Sequence, residues 1–325
     1  MKTIYLGIDV SANTLDICVK EEEFSHFVIE NKAKSIKTFL KPFEKKGSLV
    51  IAMENTGIYN YELYSVLEKQ QHQVYVVCPI HMSKSFGLTR GKSDKVDAQR
   101  ICQFIIKNQD ELAEWKPTPD KIKELKILVT ERDFLMKEKR SLLTRKAYYK
   151  RLVKLDHSKK LSKLNDKRLK ALDQQVIEIE ALIKDLVKAD QELKEQQALI
   201  TSIPGVGEVL AWTMLVKTEG FTRFSDPRKF ACYSGVAPFG RASGTSYHRR
   251  PRVSSYADKS VKSLLHMSAM SAIRYNKDLK KYYERKILEG KNKMATLNAV
   301  RNKLIHRMFA VIKNQKPYQN DLVLS

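Results

Sequence analysis

The sequence predicts an α/β domain over residues 1–115, a long-helix region over 116–200 and a mainly helical C-terminal domain over 201–325. Three observations carry this. Short apolar runs bounded by turn residues alternate with helical patterns over the first 115 residues. No glycine or proline occurs between Pro119 and Pro204, an interval that implies long helices. The charge is also lopsided: residues 1–115 carry 15 basic and 15 acidic side chains, residues 116–325 carry 45 and 22, and the whole net charge of +23 therefore lies in the second part. A balanced domain joined to a strongly basic remainder is the electrostatic footprint of a polyanion binder.

Residues 3–10, TIYLGIDV, read as a buried strand that delivers Asp9 near its end. Residues 14–19 and 24–29 alternate apolar and polar positions, which extends that strand into a three-stranded meander. A helix over 35–43 follows, Gly47 breaks the chain, and the buried run 49–53 delivers Glu54 at its C-terminal end. A helix over 59–69 and a strand over 73–77 come next. A basic loop, 84–92, then leads into a helix that opens with Asp94 and Asp97 and continues as the apolar stripe Ala98, Ile101, Cys102, Ile105 and Ile106. The order β-β-β-α-β-α-β-α is the ribonuclease H-like layout, a five-stranded mixed sheet with helices on its faces.

That order has a chemical consequence. Asp9 and Glu54 each end a strand, at the sheet edge where ligands gather in open α/β sheets. Asp94 and Asp97, three residues apart, project from one helix face roughly 5–6 Å from each other. Four acids in one crevice suit Mg²⁺ and two-metal phosphodiester chemistry. A plainer reading makes Asp94 and Asp97 a solvated first turn that complements the helix dipole. The first strand and its hairpin also resemble the opening of actin-like and sugar-kinase ATPases. Here, though, the turn Ser11-Ala12-Asn13-Thr14 has no glycine, and no glycine-rich phosphate loop follows.

Pro117 and Pro119 mark the next boundary. Leu169, Leu172, Val176, Ile179, Ile183 and Leu186, then Leu193 and Ile200, form a 3,4 repeat interrupted at Asp190, the pattern of a coiled-coil seam. A first helix carrying Ile122, Leu125, Leu128, Val129, Leu135 and Leu142 pairs with it antiparallel, the turn falling near 156–165. Residues 137–170 hold 14 basic and 3 acidic side chains, which suits either phosphate contact or a solvated face. The run Ile203-Pro204-Gly205-Val206-Gly207 before an apolar helix reads as the second half of a helix-hairpin-helix. Its backbone N–H groups, around Gly205 and Gly207, would meet a DNA phosphate; an ordinary αα-turn fits the same residues.

Residues 233–263 mix glycine, serine and arginine with little apolar periodicity and read as a loop region between helices. Ser243 lies between Arg241 and the group His248, Arg249, Arg250 and Arg252. A serine needs activation to act as a nucleophile, and clustered arginines hold a scissile phosphate and stabilise its charge. A loop that only grips phosphates fits as well, and Ser246, Ser254 and Ser255 compete for the nucleophile's role. No apolar run approaches the ~20 residues of a membrane span, the N-terminus lacks a signal-peptide pattern, and Cys18, Cys78, Cys102 and Cys232 include no CxxC pair. A cytoplasmic protein with neither a zinc site nor a disulfide framework is expected.

GIDVSANTLDICV (7–19), AMENTG (52–57), KSDKVDAQRI (92–101), IPGVG (203–207) and YSGVAPFGRASGTS (233–246) together resemble the DEDD transposases of the "IS one-ten" insertion-sequence family. The resemblance implies a RuvC-like domain whose Mg²⁺ site falls on Asp9, Glu54, Asp94 and Asp97. It implies a coiled-coil dimerisation domain and a C-terminal transposase domain with its nucleophile at Ser243. It further implies a recombinase acting on double-stranded donor and target DNA, guided by a structured bridge RNA, as a dimer or tetramer at the nucleoid of a bacterial or archaeal cell. Two other readings stay open: a Mg²⁺-dependent RuvC-like nuclease that hydrolyses branched DNA, and a non-catalytic coiled-coil protein that binds nucleic acid.

Overall fold

A computed structural model describes residues 2–79, 82, 85, 93–152, 154–243 and 247–319. The expected basic loop 84–92 and Ser246 lie outside the described residues, except for residue 85. The chain divides into two compact units, Met1–Pro117 and Thr118–Ser325.

In the first unit, β1 (Lys2–Val10), β2 (Thr14–Lys20) and β3 (Phe24–Glu30) form an antiparallel meander. After α1 (Ala33–Glu44), β4 (Gly47–Glu54) pairs parallel with β1. A short 3₁₀ turn (Gly57–Asn60) and α2 (Tyr61–Leu67) then lead to β5 (Gln73–Val77), parallel to β4. The sheet order is β3-β2-β1-β4-β5, the mixed five-stranded arrangement expected for a ribonuclease H-like domain. The period of two sorts each strand's residues between the faces. Ile4, Leu6, Ile8, Leu15, Ile17, Leu49, Ile51 and Met53 share one core with Ile36 and Leu40 of α1 and Leu63, Val66 and Leu67 of α2. The other face carries Val50, Ala52, Tyr75 and Val77, packed with Ile101, Phe104 and Ile105 of α3 (Asp94–Asn108).

The second unit opens with two long helices, α4 (Asp120–Arg151) and α5 (Asp156–Ala189). They run antiparallel, with ion pairs at heptad spacing: Arg132–Glu180 at 2.7 Å, Lys139–Asp173 at 2.5 Å and Lys146–Asp166 at 2.6 Å. The turn lies between Arg151 and Asp156, earlier than the expected 156–165. Asn165 and Asp166, turn-forming residue types, are tolerated inside α5 because α4 satisfies them: Asn165 Nδ2 donates to the Leu142 carbonyl at 2.9 Å, and Asp166 takes Lys146. Asp190, where the 3,4 repeat is interrupted, is the C-cap of α5, and its carboxylate caps α6 (Gln191–Thr201) at Leu193 N.

Three further helices, α7 (Glu208–Thr218), α8 (Pro227–Tyr233) and α9 (Lys259–Tyr275), are followed by α10 (Lys277–Leu288) and α11 (Lys293–Asn314). One core runs across the expected boundary at 200/201. It joins Ile122, Leu125 and Ile183 of the long pair to Trp212, Phe230, Leu265 and Leu304. Residues 233–263 are not the continuous loop expected from their composition. They hold a hairpin, β6 (Phe239–Ser243) with β7 (Tyr247–Arg252), and then the start of α9. Backbone pairing, with an irregularity between Phe239 and Arg241, replaces the apolar alternation by which strands are recognised in sequence.

Candidate active site

The strand register places the first two acids. β1 and β4 run parallel, with Gly7 beside Ala52 and Ile8 beside Met53. Asp9 and Glu54 follow those pairs and share the face that carries Val50 and Ala52, opposite the core of α1 and α2. The helix that brings the other two acids lies on the same face. Gly7 makes its approach possible: a Cβ there would stand 2.2 Å from Cys102 N and 2.4 Å from Ala98 O. With Ala98 and Cys102 seated on β1 two residues before Asp9, the first turn of α3, with Asp94 and Asp97, comes beside Asp9. Ser93 starts that turn as the N-cap, its hydroxyl accepting from Val96 N.

Electrostatics record the convergence. Asp9 is pushed from 3.8 up to about 6, first by burial and then by the charges of Asp97, Asp94, Glu54 and Asp16. Arg100 Nη1 donates to Asp97 Oδ1 at 2.9 Å, an i,i+3 pair within α3. Asp16 is a fifth acid that sequence reasoning missed. The β1–β2 register sets it directly across from Asp9, and His26 Nε2 lies 2.9 Å from its Oδ1. No periodicity marks it; only the pairing of the two strands brings it to the site.

Two buried asparagines also escaped the sequence. Asn60 Nδ2 donates to the Glu54 carbonyl at 2.9 Å, and its Oδ1 accepts from the Thr56 amide and hydroxyl. It thereby fixes the turn that leaves the Glu54 strand. Asn31 Nδ2 donates to the carbonyls of Ser11 and Tyr59, both at 2.9 Å, and ties the β1–β2 turn to the 3₁₀ segment. In the sequence, Asn60 is visible only as one more polar residue beside AMENTG.

The donor set fits a hard divalent cation. Asp9, Glu54, Asp94 and Asp97 offer only carboxylate oxygens, and their mutual repulsion is what a cation would relieve. As they stand, no three His, Cys, Asp or Glu side chains among the described residues close around a single ion.

In the second unit, the described backbone places Ser243 at the end of β6, paired with Tyr247; Arg241 pairs with Arg249, and Phe239 with Arg252. His248 and Arg250 lie on the same strand, β7. The two glycines of IPGVG have different environments. Gly205, at φ +95°, is pressed against α9: a Cβ would meet Ala272 N and Cα at 2.6 Å. Gly207 has open space around it and is the N-cap of α7. No helix of the described residues is long and apolar enough to cross a membrane.

Two family models and several known proteins match this chain. The Transposase IS116/IS110/IS902 family model matches residues 197–284, and the DEDD transposase model for IS110 matches residues 6–147. The "Pilin gene-inverting protein" of Moraxella bovis is 26% identical over 328 aligned positions, covering 98% of each chain. The protein of the same name from Moraxella lacunata matches to the same extent. An "Insertion element IS110 uncharacterized 43.6 kDa protein" from Streptomyces coelicolor is 29% identical over 154 residues, 47% of this chain and 36% of that one. One transposase model falls on the segment with the carboxylates and the other on the segment with the glycine turn and the serine hairpin. The chain is a transposase of the IS116/IS110/IS902 family.

Proposed function

We propose that this transposase is a Mg²⁺-dependent recombinase that cuts and rejoins double-stranded DNA to move an insertion sequence, with Ser243 as nucleophile and a structured RNA as guide. The observation that carries the proposal is the gathering of four carboxylates on one sheet face, which pushes Asp9 up to about 6. Asp9, Glu54, Asp94 and Asp97 would hold the metal, which supplies Lewis-acid stabilisation of charge on a phosphate. The chain's own part is positioning: Gly7 lets α3 seat against β1, Ser93 starts its first turn, and Asn60 fixes the exit from Glu54.

Ser243 Oγ attacks the scissile phosphorus, forming a serine–phosphate ester and breaking one strand P–O bond. The strand leaves as a hydroxyl: the leaving oxygen takes up one proton from solvent, matching the proton that the serine hydroxyl releases to it. Attack by another strand's hydroxyl reverses the step and rejoins DNA with no external energy. Arg241, His248, Arg249, Arg250 and Arg252, close to Ser243 in sequence, suit the grip on that phosphate. Gly207, at the open N-terminus of α7, offers backbone N–H groups to a neighbouring phosphate, while Gly205 packs the turn. The "gene-inverting" relatives favour an enzyme that rejoins DNA over a nuclease that only hydrolyses it.

The division of labour follows the three segments: acids in 1–115, self-association in 116–200, the serine in 201–325. Ile127, Phe134 and Tyr148, at heptad spacing on α4, are exposed together with Leu161, Leu164 and Leu182 on α5. Such a stripe suits a coiled-coil contact with a second copy, and a pair of such dimers would hold two DNA ends. The guide RNA rests on the family resemblance and on the +23 charge, which suits RNA as well as DNA. The test is strand joining by the full chain with donor duplex, element-derived RNA and Mg²⁺. Asp94→Asn and Asp97→Asn should each abolish joining while the circular dichroism spectrum stays unchanged. Unaltered joining in either variant removes that residue from the site.

A further inference from the structure

Between the N-terminal halves of α9 and α11 lies a cleft of about 760 Å³. Among the described residues its charged and hydrogen-bonding lining is Lys259, Lys262, Ser263, His266, Asn298 and Arg301, with no acidic residue. Arg301 is 6% exposed, yet among the described residues no carboxylate pairs with it. Its Nη1 donates to Asn298 Oδ1 at 3.2 Å and its Nη2 to His266 Nδ1 at 2.6 Å, while the buried Nε has no partner. Asn298 is itself anchored, Nδ2 donating to the Val236 carbonyl at 2.7 Å.

A buried guanidinium without a counter-ion is costly, and the cleft shows the strain of that arrangement. Burial holds Arg301 below its ordinary range. Burial and then the Arg301 charge hold both Lys262 and His266 below theirs. His266 therefore stays a neutral acceptor toward Arg301 and keeps its other ring N–H to donate. Both flanking helices begin at the cleft: the Asp258 carboxylate, paired with Lys217, caps and offsets the N-terminus of α9, whereas the uncharged Asn292 caps α11, so the positive dipole end of α11 adds to the field.

We propose that this cleft is a binding site for a backbone phosphate of the DNA strand on which the enzyme acts, with Arg301 as the buried anchor and Lys259 and Lys262 at its mouth. The unpartnered donors call for an anion with several acceptor oxygens, which a phosphodiester supplies. Pro238 and Val253, the residues that flank the β6–β7 hairpin, line the same cleft, so the phosphate sits at the base of the hairpin whose β6 ends on Ser243. A five-residue strand spans about 16 Å, so a strand running along the hairpin would place the clamped phosphate roughly five nucleotides from the reacting one, at 3.4 Å each. The identification of the anion as DNA, rather than the cleft itself, rests on the transposase function.

Two readouts separate these claims. The first follows ¹⁵N-labelled histidine by NMR while inorganic phosphate is added to the full chain. The His266 signal should shift in the parent and stay still in Arg301→Gln; an unmoved His266 in the parent overturns the cleft as an anion site. The second is fluorescence anisotropy with a duplex from the element's end, across a salt series. Lys259→Gln with Lys262→Gln, solvent-side changes that leave the core intact, should weaken binding about tenfold and flatten the log–log salt slope by roughly 1–2. Lys280→Gln with Lys281→Gln, two exposed changes on α10, should do neither. Equal effects from the two pairs, or loss of RNA binding with DNA binding kept, overturn the assignment to the DNA strand. A parent chain that binds no duplex sinks the DNA function instead and leaves the phosphate result to judge the cleft.

Discussion

Replacing Asp9 with Asn removes a charge that the folded N-terminal unit holds at a disadvantage. Burial, then Asp97, Asp94, Glu54 and Asp16, push this carboxyl from 3.8 up to about 6. A shift of about 2 units corresponds to roughly 3 kcal/mol. Asp9 is only partly buried, and solvent screening reduces this to about 1–2 kcal/mol. The sign comes from proton binding: the folded state holds the Asp9 proton more tightly than the unfolded chain does. Its contribution to stability is therefore full below about pH 4 and is lost as the pH rises through about 6. Without metal, Asp9→Asn should be more stable than the parent by about 1–2 kcal/mol near pH 7.5, and the difference should fade by about pH 4. Urea unfolding in a chelator at the two pH values measures it. Added Mg²⁺ should then raise the parent's midpoint and leave the variant's nearly unchanged, because binding to the folded state adds stability by mass action. A variant less stable than the parent at the higher pH, or a difference independent of pH, would refute carboxylate crowding at this site.

Other positions give predictions of different kinds. Gly7→Ala places a methyl 2.2 Å from Cys102 N, so α3 must lift from β1; a loss of more than about 2 kcal/mol, together with loss of Mg²⁺-dependent joining, is expected from melting and activity assays. Asn60→Ala strips partners from the Glu54 carbonyl and the Thr56 amide inside a buried turn; about 2–3 kcal/mol of destabilisation should follow, read by urea titration. Asp258 is raised by burial, but Lys217 at 2.8 Å, the Ser260 hydroxyl and the Val261 amide outweigh this and hold it well below the usual carboxylate range. Asp258→Asn should therefore cost about 1–2 kcal/mol near neutral pH, with the difference disappearing as the pH falls below about 3, in paired chemical denaturations.

Legibility differed along the chain for physical reasons. The N-terminal sheet could be read because β1, β4 and β5 are largely buried apolar runs, because the stretches that form β2 and β3 alternate apolar and polar residues, and because Asp9 and Glu54 each interrupt a buried run near its C-terminal end. Asp16 could not, since an acid in an alternating strand looks solvated until register sets it opposite Asp9. The long helices followed from the absence of glycine and proline. Their turn was misplaced because Asn165 and Asp166 look like turn residues, and only the partner helix reveals that their polar groups are satisfied. The hairpin of Ser243 is held by backbone pairing, which leaves no apolar trace in a run of arginines. Arg301 lies in α11 with Lys293, Lys303, Arg307 and Lys313, and nothing local in the sequence distinguishes the one that is buried.

The central claim is that a serine of this transposase carries DNA covalently during metal-dependent exchange. The most direct measurement is peptide mass spectrometry of the protein recovered under denaturing conditions from cells that carry the gene with its native flanking DNA, beside a Ser243→Ala control. A nucleotide attached to Ser243 in the parent and absent from the variant is the predicted result. Mg²⁺-dependent strand breaks that persist in Ser243→Ala, with no adduct on any serine, would contradict it and point to hydrolysis by water.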